Sequence, residues 1–305
     1  MASGIKAMFG MAPKDDGRGG FTPSSVALKL ATKSKTDYDH AEYPDALQGS
    51  TAKVLMVCTE ERYMTMANGV KFSTGNHPVE MMVPLLHLEK AGFQIEVCTP
   101  TGAPVKIERW AVPEKDDAVT DALQRYQPQF EQPQSLKALV AAGLEDHADY
   151  LAVFIPGGHG AMLGLPESED LQTLIRWVNA NDKHMLTICH GPAALLAENR
   201  GGDPKDFAYH GYKMAVFPDS LDKLTPKFGY LPGPMPWYFG DRLREQGVEI
   251  INKKANGSCC EDRKLITGDS PDAANEFGKL AARALLAEVN GAGEALRRKS
   301  TRFPP

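Results

Sequence analysis

Short apolar runs recur along the chain and alternate with segments of helical periodicity. The runs contain β-branched residues and are too short for buried helices. Near-continuous apolar runs of this kind are typical of strands that are buried on both faces. They comprise VLMVCT (54–59), QIEVCTP (94–100), YLAVFIPGG (150–158), HMLTICHG (184–191) and KMAVFP (213–218), with two more strands expected at 248–252 and 264–267.

Helical segments lie between these runs. The clearest covers 169–181, where Leu171, Leu174, Ile175 and Val178 share one face. Others are expected at 78–91, 191–199, 237–246 and 271–289. Strands that alternate with helices predict an α/β protein with a doubly wound, mostly parallel sheet.

The pattern predicts one domain with additions. Residues 1–50 have no sustained apolar period, so we expect an N-terminal arm that is disordered or wraps the main domain. Residues 51–292 form the catalytic α/β domain, and 293–305 a tail. The charged, proline-containing stretch 102–148 is too long for a simple crossover, so we expect a small inserted cap region, with a helix at 135–142, over the carboxyl edge of the sheet. Ligands of open α/β sheets bind at that edge.

Composition excludes some classes of protein. The net charge is -5 with scattered basic residues, so nucleic acid is not expected as a primary partner. We expect no membrane partner, because neither a signal peptide nor an apolar stretch of membrane-spanning length is present. Five cysteines, two of them inside strand-like runs, favour a reducing compartment, so we expect a cytoplasmic protein.

Cys189 is the candidate nucleophile. The segment TICHGP (187–192) places it directly after an apolar strand and before Gly, Pro and an Ala/Leu-rich helix, in the residue pattern of a nucleophile elbow. An exposed thiol near a helix N-terminus is expected to have a lowered pKa. Cys58 and Cys98 lie within strands and are expected to be structural, and the vicinal Cys259 and Cys260 are expected to be incidental thiols of a polar loop.

Four motifs together resemble a known family. They are FSTGNHPVE (72–80), PGGHGAMLGLPES (156–168), ICHGPAALL (188–196) and LITGDSPDAAN (265–275). They are similar to the stress-induced chaperone and glyoxalase III branch of the PfpI-type superfamily, which includes the parkinsonism-associated deglycase. The resemblance runs from Lys53 to Val289. It implies a flavodoxin-like fold of the class I glutamine amidotransferase type.

The resemblance also implies roles for particular residues. Cys189 would be the nucleophile, His190 its imidazole partner, and Asp222 the carboxylate that orients the imidazole, with Asp219 as a competitor for that third role. Glu80 would be the general acid and base, although helix capping alone also explains a glutamate in a first helical turn. Gly157, Gly158 and the backbone N–H of His190 would form the oxyanion hole.

The activity implied by the resemblance needs no organic cofactor. Cys189 would add to methylglyoxal or glyoxal, and Glu80 would move a proton before water releases lactate or glycolate. Protein deglycation by the same site is also implied, and glycated proteins and a homodimer are the expected partners. One alternative is a holdase chaperone for unfolded proteins that uses the aromatic segment 228–239, and another is a cysteine peptidase or amidase.

One set of positions departs from the family pattern. Bacterial relatives carry a metal site with two histidines and a carboxylate, and the corresponding residues of this chain are Glu89, Gln94 and Tyr126. Gln and Tyr are poor zinc ligands beside His and Glu. The sequence therefore predicts no metal at this place.

Overall fold

A central sheet of seven strands organises the protein, whose computed structural model describes residues 10–300, with the backbone alone for 292–300. In chain order its strands are β3 (Lys53–Val57), β6 (Gln94–Thr99), β7 (Gln134–Ser135), β8 (Tyr150–Ile155), β9 (His184–Ile188), β12 (Cys259–Asp262) and β13 (Leu265–Gly268). Their spatial order is β12, β13, β9, β8, β3, β6 and β7. All neighbours pair in parallel except β12 and β13. The predicted fold class is confirmed.

Helices cover both faces of this sheet. On one face lie α2 (Pro78–Lys90), α3 (Asp117–Glu131) and α8 (Ala274–Ser300), and on the other α4 (Leu136–Ala142), α5 (Glu169–Ala180), a 3-10 helix (Gly191–Asn199) and α7 (Phe239–Glu245). Successive residues of β3 show why both faces need covering. Leu55 packs into one apolar cluster and Met56 into the other, and neither is exposed to solvent.

Some predicted strands have a different place in the fold. The runs expected at 213–218 and 248–252 form only β10 (Lys213–Met214) and β11 (Glu249–Ile250), which pair with each other and not with the central sheet. The prediction of buried central strands was wrong there. The polar segment with Cys259 and Cys260, expected to be a loop, forms the antiparallel edge strand β12.

The N-terminal arm wraps the main domain. Its described part contains β1 (Lys14–Asp15), β2 (Phe21–Thr22) and α1 (Ser25–Ala31). These strands join β4 (Tyr63–Thr65) and β5 (Lys71–Ser73) in a second sheet, which the sequence did not predict. Further along the arm, Tyr38 is buried against the α2 side of the core. Residues 1–9 lie outside the described part.

The stretch 102–148 has two parts with different positions. Residues near its start reach the carboxyl edge of the sheet, where Ile107 bridges Asn76. In the remainder, β7 extends the sheet beyond β6, and α3 and α4 pack on its two faces. The helix expected at 135–142 is confirmed as α4, whereas α3 was missed.

The C-terminal helix α8 runs past the expected end of the domain. Its backbone continues through the predicted tail to Ser300, and residues 301–305 lie outside the described part. Among the described residues, no helix is both long and apolar enough to span a membrane.

Candidate active site

The turn after β9 presents Cys189 at the carboxyl edge of the sheet. Cys189 has φ +60°, a strained conformation for a residue with a side chain. Two backbone hydrogen bonds hold this turn, from Cys189 N to Gly268 O at 2.7 Å and from Phe217 N to Cys189 O at 3.0 Å. A Cβ at Gly191 would lie 2.4 Å from Thr187 Oγ1 and 2.6 Å from Ile155 O, so this tight strand-to-helix turn requires a glycine.

Three of the predicted site residues form one hydrogen-bonded chain. Cys189 Sγ lies 3.3 Å from His190 Nδ1, and His190 Nε2 lies 2.8 Å from Asp222 Oδ2. Asp222 reaches the site from a short helix, α6 (Asp219–Leu224). An imidazole that donates from Nε2 to the carboxylate leaves Nδ1 free to accept the thiol proton.

Asp219, the competing candidate, lies elsewhere. Its carboxylate accepts hydrogen bonds from Gly240 N at 3.0 Å and Asp241 N at 2.8 Å. It therefore stabilises the first turn of α7.

We expect Asp222→Asn and Asp219→Asn to differ in their effects. The first should lower kcat by a factor on the order of 10²–10⁴, because the imidazole loses its orienting charge. The second should keep near-normal kcat and lose about 1 kcal/mol of stability from the weakened cap. Steady-state kinetics and thermal melts of both variants measure this, and equal kinetic losses would contradict the assignment.

Glu80 faces the thiol from the first turn of α2. It is fully buried, and its carboxyl interacts with the Cys189 thiol and the backbone of Gly158. Burial raises its pKa well above the usual value. The raised pKa favours the protonated form of the carboxyl, which can donate a proton to a substrate.

The predicted oxyanion-hole glycines lie beside this carboxyl. Gly158, with φ +95°, lines the cavity above Cys189. A Cβ at Gly157 would lie 2.1 Å from Glu80 Oε2 and 2.7 Å from the Cys189 Cβ. The absence of a side chain at Gly157 therefore lets the Glu80 carboxyl and the Cys189 thiol approach each other. The position of Gly157 after a strand does not predict this requirement for a glycine.

The pKa of the Cys189 thiol differs from the sequence prediction. Burial, together with the neighbouring Glu80, raises this pKa well above its usual value, so the expectation of a lowered pKa was wrong. The elbow does not expose the sulfur, since Cys189 is only 4% exposed. The resting thiol is neutral and must lose its proton during the reaction.

His159 is a member of the site that sequence reasoning missed. Its Nε2 lies 3.0 Å from Asp222 Oδ1, and its ring lies 4.0 Å from that of His190, so one carboxylate holds two imidazoles. Although Asp222 is buried, these imidazoles hold its pKa well below the usual range. The position of His159, in the turn that follows β8 at the carboxyl edge, was the signal available in the sequence.

The pKa values of the two histidines are shifted in opposite directions. Burial and the nearby His159 lower the pKa of His190 to about 4, so His190 is neutral and can act as a base. The pKa of His159 is raised, because the lowering effect of burial is outweighed by the raising effect of the Asp222 and Glu108 carboxylates. Burial raises the pKa of Glu108 itself to about 7.

These side chains enclose a small cavity. Its volume is 110 Å³, smaller than the range of about 300–1,000 Å³ that holds drug-sized ligands. It adjoins an outer cavity of 310 Å³, and both have Ala31, His77, Phe217 and Pro271 in their walls. The inner cavity suits a ligand of a few atoms, and the outer one offers room for a larger attached group.

The positions at which the resemblance implied a metal site, Glu89, Gln94 and Tyr126, do not make a zinc-binding set. Arg125 binds Glu89 through two hydrogen bonds of 3.0 and 2.8 Å, and Tyr126 donates its hydroxyl proton to the same carboxylate at 2.9 Å. Gln94 donates to Ser50 O instead. The one carboxylate is neutralised by an arginine, and the set offers no imidazole.

Among the described side chains, one group has the composition of a metal site. His159, His190 and Asp222 offer ligand atoms within 4.8 Å of one another. The hydrogen bonds from both imidazoles to Asp222 account for this closeness.

Comparison with known proteins identifies the family. The chain is 48% identical over 267 residues, 87% of its length, to the protein/nucleic acid deglycase HchA of Pseudomonas aeruginosa (strain UCBPP-PA14), and covers 91% of that protein. The DJ-1/PfpI family profile matches residues 73–216. The chain belongs to the DJ-1/PfpI family. HchA of Escherichia coli O157:H7 (strain EC4115 / EHEC) is 45% identical over 271 residues, 89% of this chain and 94% of that protein.

Two solved structures share the fold. Glyoxalase III from Candida albicans superposes with a TM-score of 0.57 at 23% identity, over 76% of this chain and 97% of that one. The Rapid Encystment Protein 24 KDa of Francisella tularensis gives a TM-score of 0.63 at 21% identity, over 77% and 99%. Membership of the family and its flavodoxin-like fold, expected from the four motifs, are confirmed.

Proposed function

We propose that the protein is a glutathione-independent glyoxalase, converting methylglyoxal to lactate and glyoxal to glycolate with Cys189 as nucleophile. One observation carries the proposal: the Cys189 thiol lies 3.3 Å from His190 Nδ1 and beside the buried Glu80 carboxyl, whose pKa is raised, inside a cavity of 110 Å³. The relatives named deglycase support an enzyme of this type. No step needs a metal or an organic cofactor.

The first step is addition of the thiol to the aldehyde. Sγ bonds to the aldehyde carbon while its proton passes to His190 Nδ1, 3.3 Å away. Asp222 stabilises the imidazolium that forms, and the carbonyl oxygen takes the proton of Glu80. The product is a hemithioacetal beside a carboxylate.

The second step moves hydrogen between two carbons. The Glu80 carboxylate removes the hydrogen from the carbon bonded to sulfur, while His190 returns its proton to the neighbouring ketone oxygen, giving an enediol. Glu80 then protonates the second carbon and takes the hydroxyl proton of the first carbon, which leaves a thioester and restores the protonated carboxyl. Water hydrolyses this thioester, releases lactate and regenerates the thiol.

The same site would release early carbonyl adducts from proteins. The outer cavity adjoins the catalytic one, so the amino acid that carries the adduct has room beside the site. The homodimer and the cytoplasmic location remain predictions. The holdase alternative also remains a prediction, since in segment 228–239 Leu231, Met235 and Phe239 pack into the core whereas Phe228 is exposed.

An assay with purified protein tests the proposal. Methylglyoxal is supplied without glutathione, before and after exhaustive dialysis against EDTA, and loss of dicarbonyl and formation of lactate are followed. We expect equal amounts of dicarbonyl lost and lactate formed, at a rate that EDTA leaves unchanged. Loss of dicarbonyl without lactate would show binding or adduct formation only, and zinc whose removal stops turnover would overturn the mechanism.

A further inference from the structure

A second cavity, separate from the catalytic one, is lined by three arginines. Its volume is 200 Å³, and it lies between the turn that follows β1 and the chain around β4 and β5. Thr74 connects the two cavities, because it lines this one while its hydroxyl donates to Glu108 Oε1, at 2.7 Å, on the catalytic side. The lining residues are Asp16, Arg18, Thr22, Arg62, Ser73, Thr74, Ile107, Arg109 and Trp110.

The three arginines have no anionic partner within the described residues. Arg18, Arg62 and Arg109 lie in different segments, yet none of their guanidinium groups forms an ion pair or a side-chain hydrogen bond there. Other arginines do form such contacts, for example Arg125 with Glu89 and Arg263 with Asp262. Three unpaired guanidinium groups around one cavity are unexpected in a protein of net charge -5.

The single acid in the lining has another task. Asp16 Oδ1 accepts hydrogen bonds from Arg18 N at 2.8 Å and Gly20 N at 2.9 Å, which shape the turn after β1. Three arginines against one aspartate leave the lining with a charge of +2. A ligand with two negative charges would neutralise it.

We infer that this cavity binds a phosphate group, either inorganic phosphate or a short phosphate monoester. A phosphate monoester is close to dianionic at neutral pH, and its several oxygens can accept hydrogen bonds from more than one guanidinium group. A carboxylate has two oxygens and one charge, and cannot satisfy three arginines. The volume is also below that of pockets for drug-sized ligands, which favours a short ester over a nucleotide.

Calorimetric titration of the full chain tests the inference. In low-salt buffer at pH 7.5 the probes are inorganic phosphate, glycerol phosphate, AMP and acetate. We expect saturable binding of phosphate or glycerol phosphate, with acetate at least about tenfold weaker. The stronger of the two phosphates identifies the source, and tighter binding of AMP than of both would contradict a site for short esters. Added NaCl should weaken the binding.

Arginine variants decide whether the binding is at this cavity. Arg62→Gln and Arg109→Gln should each weaken phosphate binding by about tenfold. Arg283→Gln, which removes the same charge from an exposed position on α8, should stay within about twofold. Far-UV circular dichroism checks that each variant is folded. Absence of saturation in the unsubstituted protein, or equal binding by all three variants, would overturn the inference.

Discussion

Replacement of Cys189 by alanine is expected to lower methylglyoxal turnover by a factor on the order of 10³ or more. No other described sulfur lies in the catalytic cavity, so the carbon–sulfur bond cannot form. The fold should persist, because alanine fills most of the same space at the strained φ of +60°. Lactate formation and a thermal melt of the variant measure the two effects.

Cys260→Ala is the matched control. Cys260 is partly exposed on β12, and its loss should leave turnover within about twofold of the unsubstituted protein. Substantial lactate formation by a folded Cys189→Ala variant would refute a covalent mechanism. A similar loss in both variants would point to general damage by cysteine replacement.

Glu80→Gln should separate thiol reactivity from turnover. We expect turnover to fall by a factor on the order of 10²–10⁴, because glutamine cannot transfer the proton between the two carbons. Cys189 should still be alkylated by iodoacetamide, because glutamine has nearly the shape of the protonated carboxyl and leaves the thiol and His190 in place.

Glu167→Gln provides the comparison at an exposed position remote from the cavity. It should change neither turnover nor the alkylation profile. If Glu80→Gln kept near-normal turnover, Glu80 would only stabilise the first turn of α2. If the variant resisted alkylation, the carboxyl would instead be needed to hold the thiol in place.

Local sequence pattern predicted most of the fold but not the partners of every strand. The runs that became β3, β6, β8 and β9 are apolar on both faces. Such runs are typical of strands at the centre of a sheet that helices cover on both sides. The run at 213–218 has the same composition, yet only Lys213–Met214 is a strand, and it pairs with β11. Pairing depends on which segments meet in three dimensions, and composition does not encode this.

The site was predictable where a motif places a residue at a strand end or in a first helical turn. Cys189, His190, Asp222 and Glu80 do come together, although their roles remain predictions. The thiol pKa was not predictable, because it depends on burial by segments distant in sequence. His159 was missed because its place in the site depends on its contact with Asp222, which lies 63 residues further along the chain.

The walls of the catalytic cavity also constrain how the protein is made. They include Ala31 from the arm and Pro271 from the segment before the last helix. During synthesis, a ribosome exposes Cys189 before Asp222, Tyr230 and Pro271 have left the exit tunnel. The unfinished chain therefore holds the thiol, its base and its acid without the carboxylate that orients the base and without part of the cavity wall. We expect nascent chains to be inactive toward aldehydes until nearly the whole sequence has been translated.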